Sequence, residues 1–313
     1  MPRTAFTELT GCSVPVQQAP MGPISTAALA VAVANAGGVG TIAATGMSPE
    51  QLVALADRMR ADTDGVLAAN FVTDDIDPDA VDAAASRFRI VDFFWRDPDR
   101  ALVRRAHAGG ALVLWQVGSL AEARAAVDAG ADMLAVQGSE AGGHVRGHTA
   151  LLPLLSAVLD EITVPVLAAG GIATARAVDA VLAAGAAGVR VGTRFIASHE
   201  SGAHPAYLAA LLTAGENSTE ITAGFAKCPL CASVPRARVL RSAIDAVGML
   251  ATENVGAFRQ GTEMVPVPAR SGLPPHREVE GRIEAMALYA GESVAAVDEA
   301  RGAAEIVADL VRR

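Results

Sequence analysis

Cysteine is scarce in this chain: three among 313 residues, Cys12, Cys228 and Cys231. So sparse and odd a set does not make a disulfide framework. Aromatic residues reach only 4%, too few for a surface that stacks bases or sugars. Basic residues number 25 against 34 acidic ones, a net charge of −9. The arginines are scattered rather than clustered, which argues against a phosphate-backbone binder. The opening MPRTAFTELTGCSVPV lacks the uninterrupted apolar core of a signal peptide. The uncharged stretch Ile24 to Ala44 is broken by Ser25, Thr26, Asn35 and Gly37-Gly38-Val39-Gly40, so it reads as a buried helix followed by a strand, not a membrane span. Neither nucleic acid nor membrane is an expected partner, and a cytoplasmic location is the expectation. No Gly-x-Ser-x-Gly elbow anchors a hydrolase triad. No paired carboxylates fall at strand ends in a glycosidase-like arrangement.

What is present is a recurring unit. Half of the chain is apolar (51%) and glycine is abundant at 30 residues. A short apolar run leads through a loop to an Ala-rich helix, an Ala-Gly stop and the next run. The stops are Asn35-Ala36-Gly37, His107-Ala108-Gly109, Asp128-Ala129-Gly130 and Ala183-Ala184-Gly185, each with a glycine suited to a left-handed helix end. Helix starts are predicted at Ser48-Pro49-Glu50-Gln51 and Ser119-Leu120-Ala121-Glu122, which fit capping boxes, and at Asp77-Pro78 and Asp97-Pro98. The apolar runs are Val14–Ala19, Gly38–Ala43, Val66–Phe71, Ile90–Trp95, Ala111–Val117, Met133–Gln137, Pro165–Ala169 and Gly188–Phe195. They are continuous rather than alternating, as strands covered on both faces require. This many strand–helix units in so short a span predict an α/β fold, a (β/α)₈ TIM barrel, with an open doubly wound sheet as the competing arrangement. The barrel domain is expected to comprise residues 1–195 and 276–313, with one or two helices at the end. Residues 196–275 are expected to form a helical lid inserted after strand eight, over the barrel mouth.

Chemistry in such a barrel collects where the strands end. Those ends read Gln18-Ala19-Pro20-Met21-Gly22, Asn70, Trp95, Gln116, Gln137-Gly138-Ser139-Glu140-Ala141-Gly142-Gly143-His144, Ala169-Gly170-Gly171 and Val191-Gly192-Thr193. Gly170-Gly171 and Gly192-Thr193 follow strands seven and eight, where backbone N–H groups of barrels commonly hold a phosphate. Tight strand-to-helix turns would explain either pair alone; both together favour phosphate. The loop from Gln137 to His144 can wrap a flat ligand and present an imidazole, a side chain suited to proton transfer near neutrality. A His bonded to a backbone carbonyl is the plainer explanation, and the glycine-rich setting weighs against it. His148 is weaker, expected behind the site or facing solvent. Asn70, Gln116 and Gln137 could match the donors and acceptors of a flavin edge, or could simply cap loops.

Other signals weigh less. Gly38-Val39-Gly40-Thr41-Ile42-Ala43 loosely matches a dinucleotide fingerprint, but it follows a helix and opens a strand, the reverse of what that motif needs. It reads as helix–strand packing. Cys228-Pro229-Leu230-Cys231 lacks a second pair for a structural zinc site. His199 and His204, close in sequence, leave a metal as the alternative; free cysteines are favoured and no metal is expected. Cys12 reads as an ordinary buried thiol.

The quoted strand-end segments resemble the nitronate monooxygenase family, formerly 2-nitropropane dioxygenases. The resemblance rests on Pro15–Met21, Asn70-Phe71-Val72, Gln137–His144, Ala168–Ile172 and Val191–Phe195, with a weaker match at Tyr289–Ser293. It implies a TIM barrel with non-covalent FMN. Carried over, Met21, Gly22, Asn70, Gln116, Gln137, Gly142, Gly143, Gly170, Gly171, Gly192 and Thr193 would surround flavin or phosphate, and His144 would be the catalytic base that removes a proton from a nitroalkane, or would orient the nitronate. The implied reaction is oxidation of an alkyl nitronate or nitroalkane by O₂ to a carbonyl compound and nitrite. The organic chemistry would be the cofactor's, with the protein supplying placement and electrostatics. A homodimer is an expected assembly. Residues Lys227 to Val234 depart from many relatives, and Pro235–Arg241 looks like one branch of the family, which leaves the substrate open. An FMN-dependent enoyl-acyl-carrier-protein reductase using NAD(P)H shares the same motifs. A barrel that binds without catalysing, or a phosphosugar or nucleotide enzyme without flavin, would be the readings from other classes.

Overall fold

The computed structural model describes residues 3–72, 76–225 and 236–312. A short helix α1 (Ala5–Thr10) precedes strands β1 (Val16–Gln18), β2 (Val39–Ala43), β3 (Val66–Val72), β4 (Ile90–Phe94), β5 (Leu112–Val117) and β6 (Met133–Gln137). Next come a two-residue strand β7 (Gly143–His144), then β8 (Val166–Ala169) and β9 (Gly188–Val191). All but β7 form one closed parallel barrel in the order β1-β2-β3-β4-β5-β6-β8-β9. Closure is made by β9 against β1, with Gln17 opposite Arg190. The open sheet is thereby excluded. The last apolar run stops at Val191, earlier than its composition suggests, because Thr193–Ile196 coils into the short helix α9.

Helices α2 (Ala27–Asn35), α3 (Pro49–Asp62), α4 (Pro78–Ala85), α5 (Arg100–Ala108), α6 (Leu120–Ala129), α7 (Leu151–Leu159) and α8 (Ala175–Ala183) cover the outside. Their starts follow the capping signals with two shifts. Ser48 and Gln51 form the full capping box. Ser119 caps Glu122 N, but the Glu122 carboxylate turns to Gly118 N at 2.7 Å. Asp99, not Asp97, caps α5, while Asp97 pairs with Arg146 at 2.5 Å. At the α5 end the left-handed residue is Gly110, one beyond Gly109. Gly40 has no room for a side chain, because a Cβ would collide with the Ala30 carbonyl of α2. The Gly-Val-Gly run is therefore helix–strand packing.

Period two along each strand sorts the core into two shells. Outward residues such as Val91, Phe93, Val113, Trp115 and Leu134 pack under the helices. Inward residues Val39, Ala68, Ile90, Leu114, Ala135 and Leu167 fill the lower barrel, plugged from below by Phe6 of α1 and by Cys12. Cys12 is a buried thiol, as expected, and burial pushes its pKa up. Two residues further along the strands the interior becomes polar, with Gln17, Thr41, Asp92, Gln116 and Arg190 all buried.

After α9 the chain leaves the barrel for about a hundred residues. The excursion contains α10 (Pro205–Leu212), β10 (Thr219–Thr222), β11 (Ala237–Leu240), α11 (Arg241–Gly248), β12 (Asn254–Gln260), β13 (Glu263–Pro268) and β14 (Val279–Gly281). The segment 196–275, expected to be helical, thus also holds four strands. β11 pairs antiparallel with β10 and β7, and β12 pairs with β13 and β14. The chain then returns through 3₁₀ turns to a single terminal helix, α12 (Ala303–Val311). α12 packs against α2 and α8, so it takes the eighth outer position that α9 is too short to fill. No helix among the described residues is long and apolar enough to cross a membrane.

The plug makes a direct prediction. Phe6→Ala should lower unfolding free energy by about 3–5 kcal/mol, the usual result of emptying a buried phenyl site. Urea unfolding checks it, and a loss below about 1 kcal/mol would show that α1 is not part of the folded core.

Candidate functional site

The strand ends open into a cavity of about 780 Å³, within the ~300–1,000 Å³ usual for small-molecule and cofactor sites. Met21, Gly22, Asn70, Gln116, Gln137, Gly142, Gly143, His144, Gly170, Gly171, Gly192 and Thr193 all line it. Residues distant in sequence are therefore brought to one cavity. The excursion adds Pro268, Ser271–Pro274, Tyr289, Gly291 and Ser293 to its lining.

Each loop is fixed by its own bonds. After β1, Gln18 Nε2 donates to Ser25 Oγ at 2.9 Å and Met21 N donates to the same oxygen at 2.9 Å, which holds Met21 and Gly22 over the barrel. After β6, both ends of the Gln137 amide are committed: Nε2 donates to the His144 carbonyl at 2.8 Å and Oε1 accepts from Arg146 N at 3.2 Å. Gln137 therefore fixes the loop that carries His144. Glu140, in the same loop, accepts from Leu151 N at 2.9 Å and so anchors the start of α7. Arg238 of β11 donates to the Ser139 carbonyl at 2.9 Å and pairs with Glu292 at 2.9 Å. Gly142 leaves no room for a side chain, since a Cβ would lie 2.6 Å from backbone atoms of Ala290 and Gly291.

His144 is half-buried, on β7 opposite Ala237 of β11. Its ring sits between Trp95, centroids 5.4 Å apart, and Tyr289, 5.6 Å apart. Trp95 holds a left-handed backbone (φ 75°), unusual for a bulky residue, and its carbonyl accepts from Arg146 at 2.6 Å. Tyr289 donates its hydroxyl to the Gly272 carbonyl at 2.7 Å and accepts, at its own carbonyl, from Tyr207 at 2.5 Å. The imidazole is thus packed by rings from the barrel and from the excursion. His148 is exposed, with Nε2 3.0 Å from Arg236 Nη1. Cys228 and Cys231 lie outside the described residues.

The floor carries groups the sequence reading did not single out. Arg190 pairs with Asp92 at 2.8 Å, both side chains fully buried. Its other N–H groups donate to Gln116 Oε1 at 2.6 Å and Gln17 Oε1 at 3.2 Å. With its oxygen taken, Gln116 keeps an NH₂ end as donor. Burial pushes the Asp92 carboxyl above the ordinary range, and Arg190 pulls it back toward the ionised form. Asn70 Nδ2 donates to the Asp92 carbonyl at 3.3 Å, while Asn70 Oδ1 is buried with no partner. A charged residue inside an apolar strand, Val189-Arg190-Val191 or Val91-Asp92-Phe93, was the signal that could have found this layer.

The glycines differ in what they are for. Gly170 and Gly171 have positive φ (111° and 69°), which favours glycine on backbone grounds alone. Gly192 has φ −113°, open to any residue, and a Cβ there would meet nothing nearer than Ala19 Cβ at 3.5 Å. No neighbour in the chain requires glycine at 192; a close-lying ligand would. An orphaned amide oxygen at Asn70 and a vacant Cβ position at Gly192, both on the cavity wall, are what a flat polar ligand with an N–H edge and an anionic tail would need.

Comparison with known proteins follows this geometry. A family model described as nitronate monooxygenase matches residues 3–88 and 79–313. A relative from Mycobacterium tuberculosis, (3aS,4S,5R,7aS)-5-hydroxy-7a-methyl-1-oxo-octahydro-1H-indene-4-carboxyl-CoA dehydrogenase, is 32% identical across 99% of this chain and 95% of its own. The nitronate monooxygenase of Pseudomonas aeruginosa is 34% identical across 66% of this chain and 72% of its own. Among solved structures, FabK from Thermotoga maritima superposes with a TM-score of 0.83 at 29% identity, covering 100% of this chain and 96% of that one.

The two kinds of glycine can be separated by stability. Gly142→Ala should lower the melting temperature of the ligand-free protein by several degrees, because backbone must move. Gly192→Ala should stay within about ±0.5 kcal/mol of the parent, the usual range for a site without packing demands. Thermal unfolding of both reads the difference, and equal losses would contradict the assignment.

Proposed function

The chain belongs to the nitronate monooxygenase family, a family of flavoprotein oxidoreductases, and we propose that it binds FMN and oxidises an alkyl nitronate or its parent nitroalkane, with O₂ as final acceptor. One observation carries this reading: the glycine turns after β8 and β9 and the imidazole of His144 open onto the same cavity. Backbone N–H groups at Gly170, Gly171, Gly192 and Thr193 would face the phosphate. Asn70 and Gln116 offer an acceptor and a donor to the ring edge. Met21, Gly22, Gly142 and Gly143 would bound the ring, and Gln137 would position the His144 loop. FMN would supply the electron acceptor for the substrate carbon and the route of those electrons to O₂.

The residues of the chain supply proton handling and enclosure. A ring nitrogen of His144 takes the proton from the carbon next to the nitro group, and the rings of Trp95 and Tyr289 restrict its tilt. A substrate that is already a nitronate has no such proton to lose, and His144 then orients it. Ile172, Leu273 and Phe94 give the substrate side apolar walls that limit water.

A second reading has its own support. The coenzyme A thioester dehydrogenase relative aligns over the whole chain, excursion included, whereas the nitronate relative covers 66% of it. A thioester also acidifies the neighbouring C–H, though far less than a nitro group does, and His144 would remove a proton there instead. Oxygen uptake with alkyl nitronates, set beside flavin bleaching by alicyclic acyl-CoA esters without oxygen, decides between the two. Rapid bleaching by NADPH alone would make the protein a nicotinamide-driven reductase instead.

Two variants test the placement. His144→Asn should keep its FMN and lose about 10²–10⁴ of turnover on neutral nitroalkanes, the usual loss with a general base; steady-state oxygen uptake measures it, and unchanged turnover would remove His144 from the chemistry. Gly192→Val should melt like the parent without FMN yet purify with little flavin. Full flavin content in Gly192→Val would contradict the phosphate placement.

A further inference from the structure

Arg190 is the one permanently charged side chain among the described residues that line the cavity. Among the described residues, no Asp or Glu lines the cavity. The partner carboxylate of Asp92 is fully buried and does not line the cavity. The pair is thus a buried dipole inside the barrel, with its cationic end toward the ligand space and its anionic end away from it. Gln116 bridges the two regions, since its Oε1 accepts from Arg190 while its side chain also lines the cavity. Charges in a site without solvent are screened far less than surface charges. A dipole oriented this way favours negative charge on whatever lies above it.

We propose that Arg190 sets the reduction potential of a flavin held in this cavity by favouring the negative charge that two-electron reduction leaves on the ring, and that Asp92 limits the size of that effect. The inference rests on the FMN reading above. Arg190 acts through its field and through the orientation it imposes on Gln116. Asp92 opposes that field, so the two residues should act on the flavin with opposite sign. A purely structural ion pair would not behave this way: losing either member would loosen the same barrel layer and shift the flavin in the same direction.

The test measures the potential of FMN bound to the full-length protein against a reference dye, under saturating FMN. In Arg190→Gln the equilibrium for two-electron reduction should fall at least tenfold, about 30 mV more negative. In Asp92→Asn it should rise, because the cation loses its counter-charge. The double variant Arg190→Gln/Asp92→Asn leaves no buried ion unpaired, so it remains measurable where a single variant fails to fold. It should fall below the parent by less than Arg190→Gln does. Potentials that move in the same direction in both single variants, or a double variant equal to the parent, would overturn the proposal. So would a folded double variant that cannot bind FMN, since the pair would then be holding the ring rather than setting its charge. A parent protein that takes up no FMN would instead defeat the functional reading, a different and separately visible failure.

Discussion

The guanidinium of Arg190 is enclosed by a barrel that keeps it out of water, and the upper half of that barrel is organised around it. Removing two ions from water costs several kcal/mol each, so a buried pair stabilises little by itself. The cost is offset by Asp92 at 2.8 Å and by the two amide oxygens of Gln17 and Gln116. These groups come from β1, β4, β5 and β9, so the network crosses the barrel and includes the closing seam. An apolar layer here, like the one below it, would serve closure as well. A polar layer fixes the orientation of Gln116 and sits directly under the cavity. The strand ends can then be given to glycines, amides and one imidazole.

The excursion after β9 completes what the barrel begins. The eighth outer position waits for α12, more than a hundred residues later in the chain. The intervening segment crosses the mouth, and β11 adds a strand to the two residues that carry His144. Arg238 of β11, Glu140 and Glu292 then tie the loop after β6 to the returning chain. The imidazole is consequently framed by a barrel residue, Trp95, and a residue of the return, Tyr289. Differences in this segment between relatives would alter the far wall of the cavity without touching the glycines. That division suits one cofactor site serving several substrates.

Much of this was legible in the sequence, and the parts that were not have physical reasons. The barrel strands were readable because both faces are covered, which leaves continuous apolar runs. The glycine turns and His144 were readable because they stand where those runs end. Arg190 and Asp92 were passed over because each is a single charge within an apolar strand, and only the closed register shows that they meet. The strands of the excursion were missed for two different causes. The β12–β13 hairpin had a local signal, Phe258-Arg259-Gln260-Gly261-Thr262-Glu263-Met264, with Gly261 at φ 61° supplying the turn. The pairing of β7 with β11 had none, because it joins segments roughly ninety residues apart through two residues only. Asp97 imitated a helix cap because Asp-Pro is a common start, yet its carboxylate is held by Arg146.

The account is tested most directly by the visible absorption spectrum of the purified protein, incubated with FMN and freed of unbound flavin by gel filtration. It predicts a yellow protein fraction carrying close to one flavin per chain, with bands shifted from those of free FMN. A colourless fraction that takes up no FMN, from protein shown to be folded, would contradict it.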